Sequence, residues 1–96
     1  MATHQARLGY IRESVAEFRE GKTSLRRLVD DIEYTVQSLD PGPVRDDLHP
    51  LAGTLETIYA VALDRGELDD LPTTTVTTLN EVISTIASLV EPEPSS

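Results

Sequence analysis

Two groups of residues in this chain have side chains of the types that are found in metal sites. Asp46-Asp47-x-His49 would place Asp46 and His49 three residues apart on one face of a helix, a spacing that helical metal ligands use. Such a site normally draws a second pair from another helix, and no second pair occurs. The run Asp64…Asp69-Asp70 lacks the alternating oxygen ligands and central glycine of a calcium loop. Both groups are therefore predicted to be solvated, with no metal.

The nucleophiles and bases of the chain do not form a recognisable catalytic arrangement. Cysteine is absent, which excludes thiolate chemistry and disulfides. The serines lack a G-x-S-x-G elbow, and no glycine-rich phosphate loop is present. The sequence therefore predicts a protein that is not an enzyme and that carries no cofactor.

Charge divides the chain into two unequal halves. Residues 1–45 carry seven bases and seven acids, whereas residues 46–96 carry ten acids and only Arg65, so the net charge of −9 lies entirely in the second half. Such a surface repels nucleic acid and anionic membranes and attracts a basic protein. The alternative interpretation is that the acids only keep a small protein in solution.

The bases of the first half cluster around one short turn. Arg26 and Arg27 would stand near the start of a second helix, where a helix-turn-helix protein reads DNA. Asp30 and Asp31 follow four residues later, however, and would face the phosphates. Pairing of Arg26 with Asp30 and of Arg27 with Asp31 along the helix is the favoured interpretation, and no nucleic-acid partner is predicted.

Four stretches repeat apolar residues at alternating spacings of three and four, which predicts four amphipathic helices. The repeats run from Leu8 to Phe18, Leu25 to Leu39, Val44 to Ala62 and Val76 to Val90. In the last stretch, threonine and valine favour a strand by propensity, but the helical periodicity continues over fifteen residues and outweighs it. We expect Leu68 and Leu71 to attach the acidic loop before it to the core.

Capping and breaking residues separate these stretches. Thr3 is predicted to cap the first helix, Thr23 or Ser24 the second, and Thr73 or Thr74 the last. Gly21 and Gly66 suit the left-handed position after a helix. The next break is Pro41-Gly42-Pro43, and because Pro50 interrupts the third stretch without changing its phase, one kinked helix is favoured over a separate short helix before it.

The connections are short, and the alternating spacings of three and four suit helices that cross at shallow angles. Together they predict an all-α fold, an up-down antiparallel four-helix bundle with a kinked third helix. Residues 1–90 would form one helical domain and residues 91–96 a disordered tail. The segment 58–63 is apolar on every side, so we expect it at the centre of the domain or at a self-association surface. No signal peptide or membrane span is recognisable, which favours a cytoplasmic protein.

Two blocks of the sequence resemble a set of small bacterial helical proteins. The first block is Phe18-x-x-Gly21-x-x-Ser24-Leu25-x-x-Leu28-Val29-x-x-Ile32-Glu33, and the second is Leu55-Glu56-x-Ile58-Tyr59-Ala60-x-Ala62-Leu63-Asp64. Some members of that set are immunity proteins, which neutralise toxins of contact-dependent or related competition systems between bacteria. The Pro41-Gly42-Pro43 break and Pro50 depart from the pattern. The resemblance implies a helical fold and a role in binding a partner protein, and it transfers no catalytic residue.

The leading hypothesis is a non-enzymatic protein-binding module, of the immunity type, that neutralises a basic toxin domain through an acidic surface. The residues predicted to contact the partner are Asp46, Asp47, Tyr59, Asp64, Glu67, Asp69 and Asp70. Tyr59 and Tyr34 are candidate aromatic anchors, with packing at the edge of the core as the alternative. The second hypothesis is a structural or regulatory homodimer that pairs through the third and fourth helices.

Overall fold

Four helices make up the fold of the protein in the computed structural model, which describes residues 2–91. They are α1 (Ala2–Arg19), α2 (Leu25–Ser38), α3 (Pro43–Asp64) and α4 (Thr73–Leu89). The all-α fold that the periodicity predicts is therefore confirmed. The disordered tail predicted for residues 91–96 lies, apart from Glu91, outside the described residues.

The helices form an up-down antiparallel bundle. The connections 20–24, 39–42 and 65–72 are short and each helix packs against its neighbours in the chain, as consecutive antiparallel helices do. α4 returns to α1, where the contact is the least extensive of the four. Side chains of α1 reinforce this seam: Arg12 donates to the Val90 carbonyl, and Arg19 donates to Ser84 Oγ over 3.3 Å.

One aliphatic core runs between the four helices. It is made of the predicted stripes, and almost every stripe residue on α1 and α2 is buried. The fully covered side chains with the largest volumes are Ile11, Leu28, Ile32, Leu48, Leu55, Ile83 and Ile86. Each helix contributes to this one cluster, so the spacing of apolar residues predicted most of the core. The prediction is wrong for Val76, the first residue of the stripe on α4, which is 38% exposed and lies outside the cluster.

The reversal between α1 and α2 follows local backbone chemistry. Gly21 adopts a φ of 77°, in the left-handed region that glycine tolerates best, and Lys22 N–H donates to the Glu17 carbonyl over 2.8 Å. Ser24 then caps α2 by accepting a hydrogen bond from Arg27 N–H at 3.2 Å. The predicted helical hairpin is confirmed. The prediction of Thr3 as a cap is wrong, because α1 begins at Ala2 and includes residue 3.

α3 is a single helix that contains Pro50 in its interior. The alternative of a separate short helix before Pro50 is therefore wrong. Proline has no N–H to donate, so the Asp46 carbonyl loses its usual partner. The kink at this residue stays a prediction. Leu48, on the N-terminal side of Pro50, and Leu55, beyond it, are both fully buried, so the helix keeps one face on the core across the proline.

The prediction that segment 58–63 lies at the centre of the domain is wrong. Only Ala62 is buried, whereas Val61 and Leu63 are 43% and 54% exposed. The physical reason is architectural: a bundle of four helices has no central helix, so every helix keeps one face on solvent. The hydrophobicity of this segment therefore lies partly on the molecular surface.

α4 is helical despite its strand-forming composition, as its periodicity predicts. Its threonines fit the helix by bonding their hydroxyls to the carbonyl four residues before, as Thr77, Thr78 and Thr85 do over 3.0–3.1 Å. The cap predicted at Thr73 or Thr74 is wrong. Pro72 occupies that position with extended backbone, and its carbonyl accepts the first helical bond from Val76.

Candidate partner-binding surface

The structure divides the acidic residues that the sequence predicts for partner binding into two groups. Asp64, Glu67, Asp69 and Asp70 come together where α3 ends and the connection to α4 begins. Asp46 and Asp47 lie in the first turns of the same helix. Asp46 and Asp64 are separated by roughly 27 Å of helix, at about 1.5 Å per residue. The two groups therefore stand near opposite ends of the molecule.

The segment that carries the first group, which we call the acidic loop (Asp64–Asp70), has a defined backbone. Gly66 adopts a φ of 68° and Glu67 N–H donates to the Ala62 carbonyl over 2.8 Å. Asp70 N–H donates to the Glu67 carbonyl over 3.0 Å. These bonds reproduce at the end of α3 the glycine-centred termination seen at the end of α1.

Two leucines attach the acidic loop to the rest of the protein. Leu68 and Leu71 are half-buried and pack against the core cluster, as predicted from the sequence. Asp69 and Asp70, which lie between these leucines, are exposed. The loop thus holds its carboxylates outward on a backbone whose apolar side chains are already in contact with the protein.

Exposed apolar side chains lie next to the acidic loop. Val61 and Leu63 belong to the last turns of α3, and Val76, 38% exposed, belongs to the first turns of α4. Val61 and Leu63 are two positions apart and therefore face different sides of α3, so they contribute separate apolar points to the surface near the acidic loop. Apolar side chains with charged residues around them are common in protein–protein contacts. For segment 58–63 the sequence predicted one of two locations, the centre of the domain or a self-association surface.

The tyrosines have different environments. Tyr59 is half-buried and packs against the core, which is the arrangement of the alternative interpretation given above. Tyr34 is 74% exposed, and with Tyr10 it lines a cleft of about 440 Å³ between α1 and α2. Tyr10 donates its hydroxyl hydrogen to Asp31 Oδ1 over 3.0 Å, so one of these two rings is tied to the contact between α1 and α2.

Asp31 organises the polar contact between α1 and α2. Its carboxylate accepts hydrogen bonds from Tyr10, from the buried Ser14 at 3.1 Å and from Arg27 at 3.2 Å. The pairing of Arg27 with Asp31 that the sequence predicts is present, and so is the pairing of Arg26 with Asp30, at 3.9 Å. The roles of Tyr10 and Ser14 were not predicted, because they depend on which faces of α1 and α2 meet.

A second polar contact joins α2 and α3. Burial raises the pKa of Glu33 to about 7, assisted by a hydrogen bond with Glu56 and by the charges of Glu56 and Asp30. His49 lines the same cleft. Two carboxyl groups face each other here, and one of them therefore retains a proton to higher pH than usual. Sequence reasoning missed this pair, since its members are more than twenty residues apart.

Within the part of the chain that the structure describes, no three His, Asp or Glu side chains converge in a way that would ligate a metal ion. Asp46 and His49, the pair considered from the sequence, are both exposed. Among the helices of residues 2–91, none joins sufficient length to a sufficiently apolar run to cross a membrane.

Comparison of the chain with protein-family models, with curated proteins and with solved structures finds no match. The resemblance to immunity proteins therefore stays a prediction that depends on the two sequence blocks. Both blocks lie on described elements: the first covers the α1–α2 hairpin, and the second covers the C-terminal part of α3 up to the acidic loop.

Proposed function

We propose that this chain is a non-enzymatic protein-binding module that contacts a basic protein through the acidic loop and the adjoining apolar side chains. The observation that carries the proposal is that Asp69 and Asp70 are exposed on a loop held by Leu68 and Leu71. A surface that is already ordered loses little conformational entropy when a partner binds.

The electrostatic argument supports the same surface. All three ion pairs found in residues 2–91 lie between Glu20 and Asp31, so the acids of the loop are not neutralised by a partner within the described chain. An acidic surface accelerates the encounter with a basic protein and disfavours acidic competitors.

The partner that best fits the resemblance to immunity proteins is a toxin domain with a basic surface, such as one that acts on nucleic acid. An acidic protein bound there would occupy the surface that the anionic substrate needs. On this proposal the module acts in the bacterial cytoplasm and neutralises the toxin by occlusion.

The test uses the protein encoded beside this chain in its genome as the candidate partner. Association is measured at low and at high salt for the wild-type chain and for Asp69→Lys/Asp70→Lys. We expect the variant to associate at least about tenfold more slowly at low salt, and the difference to shrink at high salt, because the attraction is screened.

Asp46→Lys/Asp47→Lys is the matched control. It makes the same change of charge near the opposite end of α3. Equal slowing by both variants would assign the effect to overall charge and contradict a specific role for the acidic loop. No change in either variant would contradict the electrostatic proposal as a whole.

A second candidate function, a structural or regulatory homodimer, is favoured by the exposure of Val61 and Leu63. Two copies could cover these side chains across a two-fold axis. Sedimentation of the purified chain between micromolar and millimolar concentration tests it: a mass near 10.5 kDa throughout would contradict a dimer.

A further inference from the structure

A groove between the C-terminal turns of α3 and the N-terminal turns of α4 adjoins the acidic loop. It has a volume of about 270 Å³, larger than the ~150 Å³ cavity that accommodates a benzene ring. The aliphatic and threonine side chains along it are Thr57, Ile58, Val61, Ala62, Thr74, Thr75 and Thr78. We call it the α3–α4 groove.

Two of its threonines make this groove less polar than its composition suggests. Thr78 Oγ1 donates to the Thr74 carbonyl over 3.1 Å, and Thr57 Oγ1, at the other wall, donates to the Gly53 carbonyl over 3.0 Å. Because these two hydroxyls are bonded to their own helices, the methyl groups of Thr57 and Thr78 are the parts available to a ligand. Together with Ile58 and Val61 they form a concave surface suited to a hydrocarbon or aromatic group.

Charge at one end of the groove indicates what kind of residue would accompany that group. Glu67 lines the groove itself, and Asp64, Asp69 and Asp70 are exposed in the adjoining loop. Arg65 also lines the groove, but from residue 46 onward it is the only basic residue against ten acids. A cation next to the apolar group would therefore be attracted.

We propose that the α3–α4 groove receives a helix of the partner that presents one large apolar or aromatic side chain with an arginine or lysine one turn away. Two antiparallel helices form a natural groove for a third, whose anchors recur at every third or fourth residue. The inference rests on the proposed function for its basic partner. It adds the place where that partner inserts an anchor and the chemistry of the anchor.

The experiment uses small probes in place of the unidentified partner. The full chain, labelled with ¹⁵N, is titrated with phenethylguanidinium, which joins an aromatic ring to a cation. The controls are 3-phenylpropionate, in which the ring carries a carboxylate, and ethylguanidinium, which has no ring. We expect saturable shifts of the Val61, Ala62 and Thr78 amides with the first probe only, at concentrations of about 1–10 mM.

Two substitutions on α4 locate the binding. Thr78→Lys places a cation and a longer side chain in the groove and should weaken binding of phenethylguanidinium about tenfold. Thr85→Lys makes the same change at an exposed threonine with the same hydrogen bond to its own helix, outside the groove, and should leave binding unchanged.

Several results would overturn the proposal. They are an absence of saturable shifts in the groove, equal shifts from all three probes, or shifts centred on the Tyr10–Tyr34 cleft. Shifts of the groove amides when the free protein is diluted would assign the groove to a second copy of the chain, which also overturns it.

These failures are separable from failure of the proposed function. If phenethylguanidinium does not occupy the groove but Asp69→Lys/Asp70→Lys still slows association with the partner, the acidic loop remains the contact and only the groove is rejected. If phenethylguanidinium binds in the groove and Asp69→Lys/Asp70→Lys does not slow association, the groove remains a binding site and the role of the acidic loop is rejected.

Discussion

The two helical hairpins of this protein use their charged residues in opposite ways. In the α1–α2 hairpin, Asp31 accepts bonds from Tyr10, Ser14 and Arg27, so its charge is part of the fold. In the α3–α4 hairpin, Asp69 and Asp70 are exposed on the acidic loop, where none of the ion pairs found in the described chain lies. Carboxylates of the same chemistry therefore contribute to stability in one hairpin and are exposed at the surface in the other.

Apolar residues also differ between the two hairpins in how far they are buried. Ile32 of α2 is fully buried, whereas Leu63 of α3 is 54% exposed. A buried aliphatic side chain contributes to folding, and an exposed one contributes only when a partner covers it. The free energy of unfolding of matched variants measures this difference directly.

The largest expected effect comes from core truncation. Ile32→Ala should lower the free energy of unfolding by about 3 kcal/mol, since it removes buried hydrocarbon and leaves a cavity. Leu63→Ala should change it by less than about 1 kcal/mol, because about half of this residue is already exposed to water. Denaturant unfolding monitored by circular dichroism gives both values. Similar losses in the two variants would contradict the proposed division between the hairpins.

The next effect concerns the charge network of the first hairpin. Asp31→Ala should cost about 2 kcal/mol, because it leaves the buried Ser14 hydroxyl without its partner and removes the bonds from Tyr10 and Arg27. Asp30→Ala is the control: its carboxylate is exposed and 3.9 Å from Arg26, so its loss should cost about 0.3 kcal/mol. Thermal and denaturant unfolding should show a clearly lower stability for Asp31→Ala than for Asp30→Ala. Equal stabilities would contradict the role of Asp31 in holding α1 and α2 together.

The contact between the hairpins should respond to pH. The folded pKa of Glu33 is about 7, above its ordinary value of 4.5, so the folded state holds this proton more tightly than the unfolded state. Stability is therefore lost as the pH rises from about 4.5 to about 7. Glu33→Gln cannot ionise, so at pH 8 it should be more stable than the wild type by about 1 kcal/mol, a value reduced for partial solvent exposure.

The pH dependence of that difference is the decisive measurement. Unfolding of the wild-type chain and of Glu33→Gln is compared at pH 4 and pH 8, and the gain should be confined to the higher pH. Glu56→Gln, which removes the facing carboxyl group, should also diminish the loss of stability with rising pH. A gain of equal size at both values would indicate a packing effect unrelated to ionisation.

The smallest expected effect concerns the exposed carboxylates of the α3–α4 hairpin. Asp69→Asn/Asp70→Asn should change the free energy of unfolding by less than about 0.5 kcal/mol, because both side chains are exposed. Denaturant unfolding at low salt is the most sensitive check. A loss above 1 kcal/mol would mean that the acidic loop uses these carboxylates in the fold and would weaken the case for recognition.

Much of the architecture was predictable from patterns among residues that are close together in the sequence. The stripe from Leu25 to Leu39, the Gly21 turn and the cap at Ser24 involve residues within a few positions of one another, where spacing and backbone preference act directly. The prediction of the cap of α4 failed because another residue nearby also favours the start of a helix. Thr73 has a capping side chain, but Pro72 already occupies the position that precedes the first turn of α4.

The candidate site was predictable only in part. The acids of the loop and the leucines that attach it were identified from composition and spacing. The sequence grouped Asp46 and Asp47 with these acids as partner-binding residues, whereas the continuity of α3 through Pro50 places the two groups near opposite ends of that helix.

By itself, the sequence determined the number of helices, their order, the core stripes and the asymmetry of charge, because each depends on residues close together in the chain or on a simple count. The tertiary structure alone decided that Asp31 joins Tyr10 and Ser14, that Glu33 faces Glu56, and that Val61 and Leu63 remain on the surface. These outcomes depend on which helix faces meet across distant positions. Periodicity identifies the apolar face of each helix, but it does not determine which polar residues are opposed once those faces are packed.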